Sequence, residues 1–262
     1  MILELTTLPL ILIVFVRLYP PFETSILYAN HSQEKEIMEV EELLRTRFKE
    51  IGREYGFEKV EAEFVSFKEL KVRWQRSYKW ADFKVSDYLA DAPPEVIDGL
   101  CNSLFSKITG EEEGYSKEMC DWMTAPEFAE NKQPIYLKRS RNLTRSPEGE
   151  FRDLLGSYER LIAAGLAEKD PAIQLTWTKE SNVRKIGHCS VLMKVISISS
   201  VLDTDMIPEF VLDFCLYYEL CHLMIGFDPS AKRHGEEFTK LEERYPRKKE
   251  AEDWIKRLCM YL

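Results

Sequence analysis

One order of elements occurs twice in this chain, and a repeated order constrains the fold more tightly than any single motif. From Ile37, apolar residues recur at Val40, Leu44, Phe48, Ile51 and Tyr55. That three-and-four spacing predicts an amphipathic helix, which Gly56 closes in a left-handed cap. Three runs follow, Val60 to Phe67, Leu70 to Ser77 and Trp80 to Tyr88, rich in Val, Phe, Trp and Tyr with interspersed charges. They read as half-buried strands joined by short turns. Pro93-Pro94-Glu95 then opens the apolar segment Val96 to Ile108, which ends at Gly110. Proline in the first turn and glycine just past the end frame a second helix.

The second half returns to the same order. Phe151 to Ala164 predicts a helix through Leu154, Leu155, Tyr158, Leu161 and Ile162, with Gly165 behind it. Ile173 to Thr178, Val183 to Ser190 and Met193 to Ser199 read as strands, and Pro208-Glu209 opens an apolar helix that Gly226 closes. Gly56 and Gly165, like Pro94 and Pro208, mark matching places about 110 residues apart. The expected fold is therefore α+β, built from two related helix/three-strand/helix units over 38–110 and 151–262. Between them, 111–150 is polar and holds Gly114, Pro126, Pro134 and Pro147, the composition of a linker or insertion. Within it, Leu143 to Pro147 reads as a flexible loop rather than a phosphate site.

Residues 1–37 read as an apolar leader, disordered or interfacial, or as a consequence of start-site choice. The apolar run Leu8 to Val16 is too short for a bilayer, which takes about 20 apolar residues to cross. Glu4 is the only charge before Arg17, so the positive region of a signal peptide is missing. No stable transmembrane segment is expected. The net charge of −9 works against nucleic-acid binding, although Lys232-Arg233, Arg244 and Arg247-Lys248-Lys249 make the last stretch locally basic. Those cations read as solvated helix ends. Six cysteines show no paired spacing, which suits a reducing cytoplasm. Phosphate-cradling loops, dinucleotide glycine patterns and nucleophile elbows are missing from the sequence.

Chemistry concentrates on the last long helix. Residues 210–225 are apolar almost all round, interrupted by Asp213, Glu219 and His222, so this helix is expected to be buried. A buried ionised carboxylate is costly unless it is paired, metal-linked or protonated. Cys215, Tyr218, Glu219 and His222 fall along one stripe at about 100° per residue. His234 follows on the next predicted helix, Arg233 to Glu243, after a loop containing Gly226, Asp228 and Pro229. Two readings are open: a satisfied core pair of Glu219 and His222, or a metal site. The strand ending at Ile198 and the turn before Pro208 are expected to form an edge beside that site.

In order, Ile186-Gly187-His188-Cys189-Ser190, Val195-Ile196-Ser197-Ile198-Ser199, Leu202-Asp203, Pro208-Glu209, Tyr217-Tyr218-Glu219-Leu220-Cys221-His222-Leu223, His234 to Phe238 and Tyr245-Pro246 resemble the SprT-like and YgjP-like zinc metallopeptidases. The similarity spans roughly Phe151 to Leu258. It implies a zincin-type domain, a bound zinc, and hydrolysis of a peptide or protein substrate. Glu219 matches the general base, His222 the second ligand and His234 the third. Tyr218 stands where the family has its first histidine, so the resemblance implies a weakened or lost zinc site unless another group serves. Tyr218 itself, Cys215 and His188 are the three candidates. The alternative expectation is a non-catalytic degenerate member that binds an extended peptide or protein partner. A nucleic-acid-associated protease follows only from the SprT resemblance, and the acidic charge disfavours it.

Overall fold

The computed structural model describes residues 22–111, 114–229 and 234–258. It is an α+β fold with eight helices among those residues and two small mixed sheets. Helix α1 (Phe22–Glu54) begins well before Ile37, so the part of the expected leader from residue 22 onward is helical. The apolar run Leu8 to Val16 lies outside the described residues.

Gly56 takes φ 84° and terminates the first helical stretch. Strands β1 (Lys59–Val65), β2 (Val72–Arg76) and β3 (Trp80–Ser86) follow, then α2 (Pro94–Thr109), capped by Gly110 at φ 88°. β1 and β3 run parallel while β2 is antiparallel to β3, giving the order β1-β3-β2. In the second unit α5 (Leu154–Ala163) precedes β4 (Gln174–Trp177), β5 (Gly187–Ser190) and β6 (Val195–Ile198). The order β4-β6-β5, with β4 parallel and β5 antiparallel to β6, reproduces the first sheet. Helix α6 (Glu209–Ile225) completes the unit. Each third strand also passes through one turn of 3-10 helix, Asp87–Leu89 and Ser200–Leu202, before its helix.

β5 starts later than the run from Val183 suggests. The Asn182 side chain accepts hydrogen bonds from the N–H groups of Arg184 and Lys185 at 2.8 and 3.0 Å, curling this stretch into a local turn. β6, expected at an edge, is the central strand, and β5 takes the edge. A parallel β4 needs a neighbour across the crossover, and β6 is the strand that supplies it.

Much of the stretch read as a linker or insertion, from Lys117 to Arg139, is helical. It forms α3 (Lys117–Thr124), whose N-cap Ser116 accepts from the Met119 N–H, and α4 (Pro126–Arg139). Arg139 makes a two-pronged ion pair with Asp87 at 2.7 and 2.6 Å and donates to the Phe67 carbonyl, tying α4 to the first unit. One turn and a half earlier, Gln133 Nε2 donates to the carbonyls of Ala172 and Met193, both at 2.9 Å, tying α4 to the second. Each unit has its own apolar core, and Met193 and Val195 of the second unit pack into the first core. No helix among the described residues is long and apolar enough to cross a membrane.

Within the second unit, α6 is fixed against α5 through Asp213. Its carboxylate accepts from Ser157 Oγ at 2.6 Å and from Arg160 Nε and Nη2 at 2.9 and 2.7 Å. Replacing Asp213 by Asn removes the charge from these bonds, while the half-exposed Arg160 stays hydrated. Asp213→Asn is expected to lower stability by about 1–3 kcal/mol, read as a reduced urea midpoint at unchanged m-value.

Candidate metal centre

Helix α6 is buried on nearly every side, as its composition requires. It carries Tyr218, half-buried, with Glu219 and His222, both buried. The short helix α7 (Glu236–Glu242) docks across it. Phe238 of α7 is buried, and Tyr217 of α6 donates its hydroxyl to the Leu241 carbonyl at 2.5 Å, pinning the far end of α7. His234, just before α7, is thereby delivered to α6. Its Nε2 lies 3.2 Å from Tyr218 Oη.

Tyr218, His222 and His234 surround one phenyl ring. Their ring centroids lie 5.0, 4.5 and 4.7 Å from that of Phe238, and the two imidazoles are 5.2 Å apart between centroids. Residues from two helices and the chain between them thus converge. Glu219 leaves this cluster toward the edge strand. A Cβ placed on Gly187 would lie 2.8 and 2.9 Å from Glu219 Cγ and Cδ, and closer still to Oε1. Glycine at 187 is what lets the carboxylate rest against the backbone of β5.

Two candidates for a further ligand fare poorly. Burial, followed by the neighbouring Glu219 charge, pushes the Cys215 thiol far above the ordinary thiol range, which works against a thiolate there. His188 sits between Gly187 and Cys189 on β5. Gly187 faces Glu219 and Cys189 packs in the core beside α6, so alternation turns His188 to the other face of the sheet. Five cysteines, Cys101, Cys120, Cys189, Cys215 and Cys221, are free.

Among the described residues no group of three or more His, Cys, Asp or Glu side chains is placed to hold a metal ion. A third donor would have to be of another type, and Tyr218 is the phenol at hand. Two ligands at about 2.0–2.1 Å on a tetrahedral zinc are about 3.3 Å apart. The 3.2 Å between Tyr218 Oη and His234 Nε2 fits that separation. It equally fits a hydrogen bond from the phenol to the imidazole.

Compared with family models, curated proteins and solved structures, the chain finds no match. What the site can do therefore rests on its own residues.

Sequence patterns alone gave no sign of three supports: Gly187 beneath Glu219, Phe238 as the shared floor, and the Tyr217 hydroxyl that seats α7. Gly187 was visible only as a glycine inside a strand, which often marks a close backbone approach. Gly187→Ala is expected to cost about 1–3 kcal/mol through overpacking. Combining it with Glu219→Ala should recover much of that loss in a double-mutant cycle measured by urea unfolding. Strictly additive effects would show that the two side chains do not meet.

Proposed function

We propose that the second unit is a metallopeptidase-like site that hydrolyses peptide bonds with a zinc held by Tyr218, His222 and His234. The observation that carries this reading is the 3.2 Å separation of Tyr218 Oη and His234 Nε2 beside the ring of His222. A zinc bound there would supply Lewis acidity and make a water acidic enough to serve as nucleophile near neutral pH.

The chain's own residues account for the rest. Glu219, next to Tyr218 and three residues before His222 on the same helix, is the general base that takes the proton from the attacking water and returns it to the departing amine nitrogen. Edge strand β5 offers the backbone of an extended peptide a row of hydrogen-bonding partners next to that carboxylate. The free cysteines suit a reducing cytoplasm as the working compartment.

Support also comes from the other unit. Helix α2 buries Val96, Ile97, Leu100, Cys101, Phe105 and Ile108 and no charged residue. The repeated architecture thus forms with no buried glutamate or histidine on the equivalent helix, which supports a chemical role for Glu219 and His222.

A second reading takes the Tyr218 to His234 contact as a hydrogen bond that occupies the imidazole nitrogen. The unit is then a non-catalytic member that holds an extended peptide or protein partner at β5. Metal analysis of protein purified without chelators separates the two. The first reading expects about one zinc per chain, lost in His222→Ala, His234→Ala and Tyr218→Phe, and bound at least tenfold more tightly in Tyr218→His. Protein that holds no zinc as wild type leaves the second reading standing, and zinc in Tyr218→His alone would mark a lapsed enzyme.

A further inference from the structure

The hairpin formed by β2 and β3, with the residues just before it, is a cationic and aromatic surface on an acidic chain. Lys68, Lys71, Arg73, Arg76 and Lys79 fall within residues 68–79, where Glu69 is the single anion, and Asp82 follows on β3, in a protein of net charge −9. Trp74, Tyr78 and Trp80 are exposed in the same stretch, Tyr78 by 90%.

β2 is an edge strand, and Arg73, Trp74, Gln75 and Arg76 are all exposed. The Ser77 N–H donates to the Trp80 carbonyl at 2.9 Å, and the Ser86 N–H to the Lys71 carbonyl at 3.1 Å. Arg73 and Gln75, opposite Lys84 and Asp82, share that parity and turn their backbone groups toward β3. Val72, Trp74 and Arg76 therefore turn theirs outward, a row of donors and acceptors set for another strand.

The charge on this edge is largely uncompensated. Lys68 pairs with Glu69, and Lys79 with Glu58. Lys71 and Arg73 instead lie over the Phe67 ring, 5.0 and 5.3 Å from its centroid. Among the described residues, no ion pair engages Lys71, Arg73 or Arg76. An open strand edge flanked by unpaired cations selects an extended chain that carries carboxylates. We propose that β2 binds an acidic, extended segment of a partner protein by strand addition.

Two other occupants fit less well. A second copy would bring the same cations to the same edge and be repelled. Single-stranded nucleic acid stacks its bases on aromatic rings that share a face. Here Trp74 is opposite Phe83, on the core side, while Trp80 neighbours Ala81, which pairs with Arg76 on that side. Trp80 thus projects from the opposite face, and the two indoles form no common platform.

The test uses the full chain with a synthetic peptide of alternating Glu and Val, its Lys counterpart, and an oligothymidylate, followed by calorimetry. The acidic peptide is expected to bind saturably and the Lys peptide not at all. Arg73→Glu with Arg76→Glu should weaken binding at least ~tenfold. Proline is tolerated on an edge where the N–H points outward, so Trp74→Pro should abolish binding while Trp74→Ala only reduces it. Circular dichroism and thermal midpoints check that each variant is folded; should Trp74→Pro unfold, the charge reversal decides. Equal binding of both peptides, binding of neither, an unchanged affinity after charge reversal, or tight binding of the oligothymidylate in place of the acidic peptide would each overturn the proposal. None of these outcomes depends on zinc.

Discussion

The second unit is organised around the placement of ionisable groups inside an apolar helix. α6 packs on its sheet, on α5 and on α7, so Asp213, Glu219 and His222 have no way to reach bulk water together. A charge in such surroundings is tolerated only where something nearby favours it. For Asp213 that something is Ser157 and the two-pronged Arg160, and the result is mechanical: α5 and α6 are held in one orientation. Glu219 is accommodated differently, by a strand that gives up a side chain at Gly187 so that the carboxylate can lie on the backbone. His222 faces the Phe238 ring and the approach of His234. One helix therefore carries two buried carboxylates a turn and a half apart, one held by an ion pair and the other laid against a strand.

The two units meet through a segment whose composition suggested a spacer. Gln133 and Arg139, on the same short helix, reach carbonyls and a carboxylate in opposite units, and Met193 and Val195 add apolar contact. With hydrogen bonds to both sides and a shared core, the first unit is positioned against the second rather than hung beside it. The first unit lacks buried charge on its equivalent helix and exposes a cationic strand edge instead. The same architecture thus presents a protected polar cluster in one copy and an exposed cationic strand edge in the other.

Much of the framework was legible in advance. Gly110 and Gly165 end their helices with positive φ, Gly56 and Gly226 likewise, and Pro94 and Pro208 open theirs, because few other residues satisfy those backbone conditions. The three strand runs of the first unit were found to within two residues at each end, since alternation is strong where one face is wet. In the second unit β6 is buried on both faces, alternation is lost, and its central place could not be told from an edge. The helices α3 and α4 were hidden by Pro126 and Pro134. The first sits harmlessly at a helix start, and the second is carried inside the helix, where it costs a hydrogen bond that sequence reasoning does not expect to be forgone.

By itself, the sequence determined where glycine closes and proline opens the helices of the two units, the repeated order of elements and the burial of α6, because these follow from local backbone preference and from the density of apolar side chains. It also determined which residue types could take part in chemistry, Tyr218, Glu219, His222 and His234 among them. Tertiary structure alone decided that three of these gather on Phe238 while Glu219 turns to Gly187, that His188 faces away, and that β5 and β2 lie at sheet edges while β3 and β6 are central. Those outcomes depend on how elements far apart in the chain dock, and docking is governed by the summed fit of many side chains rather than by any local pattern.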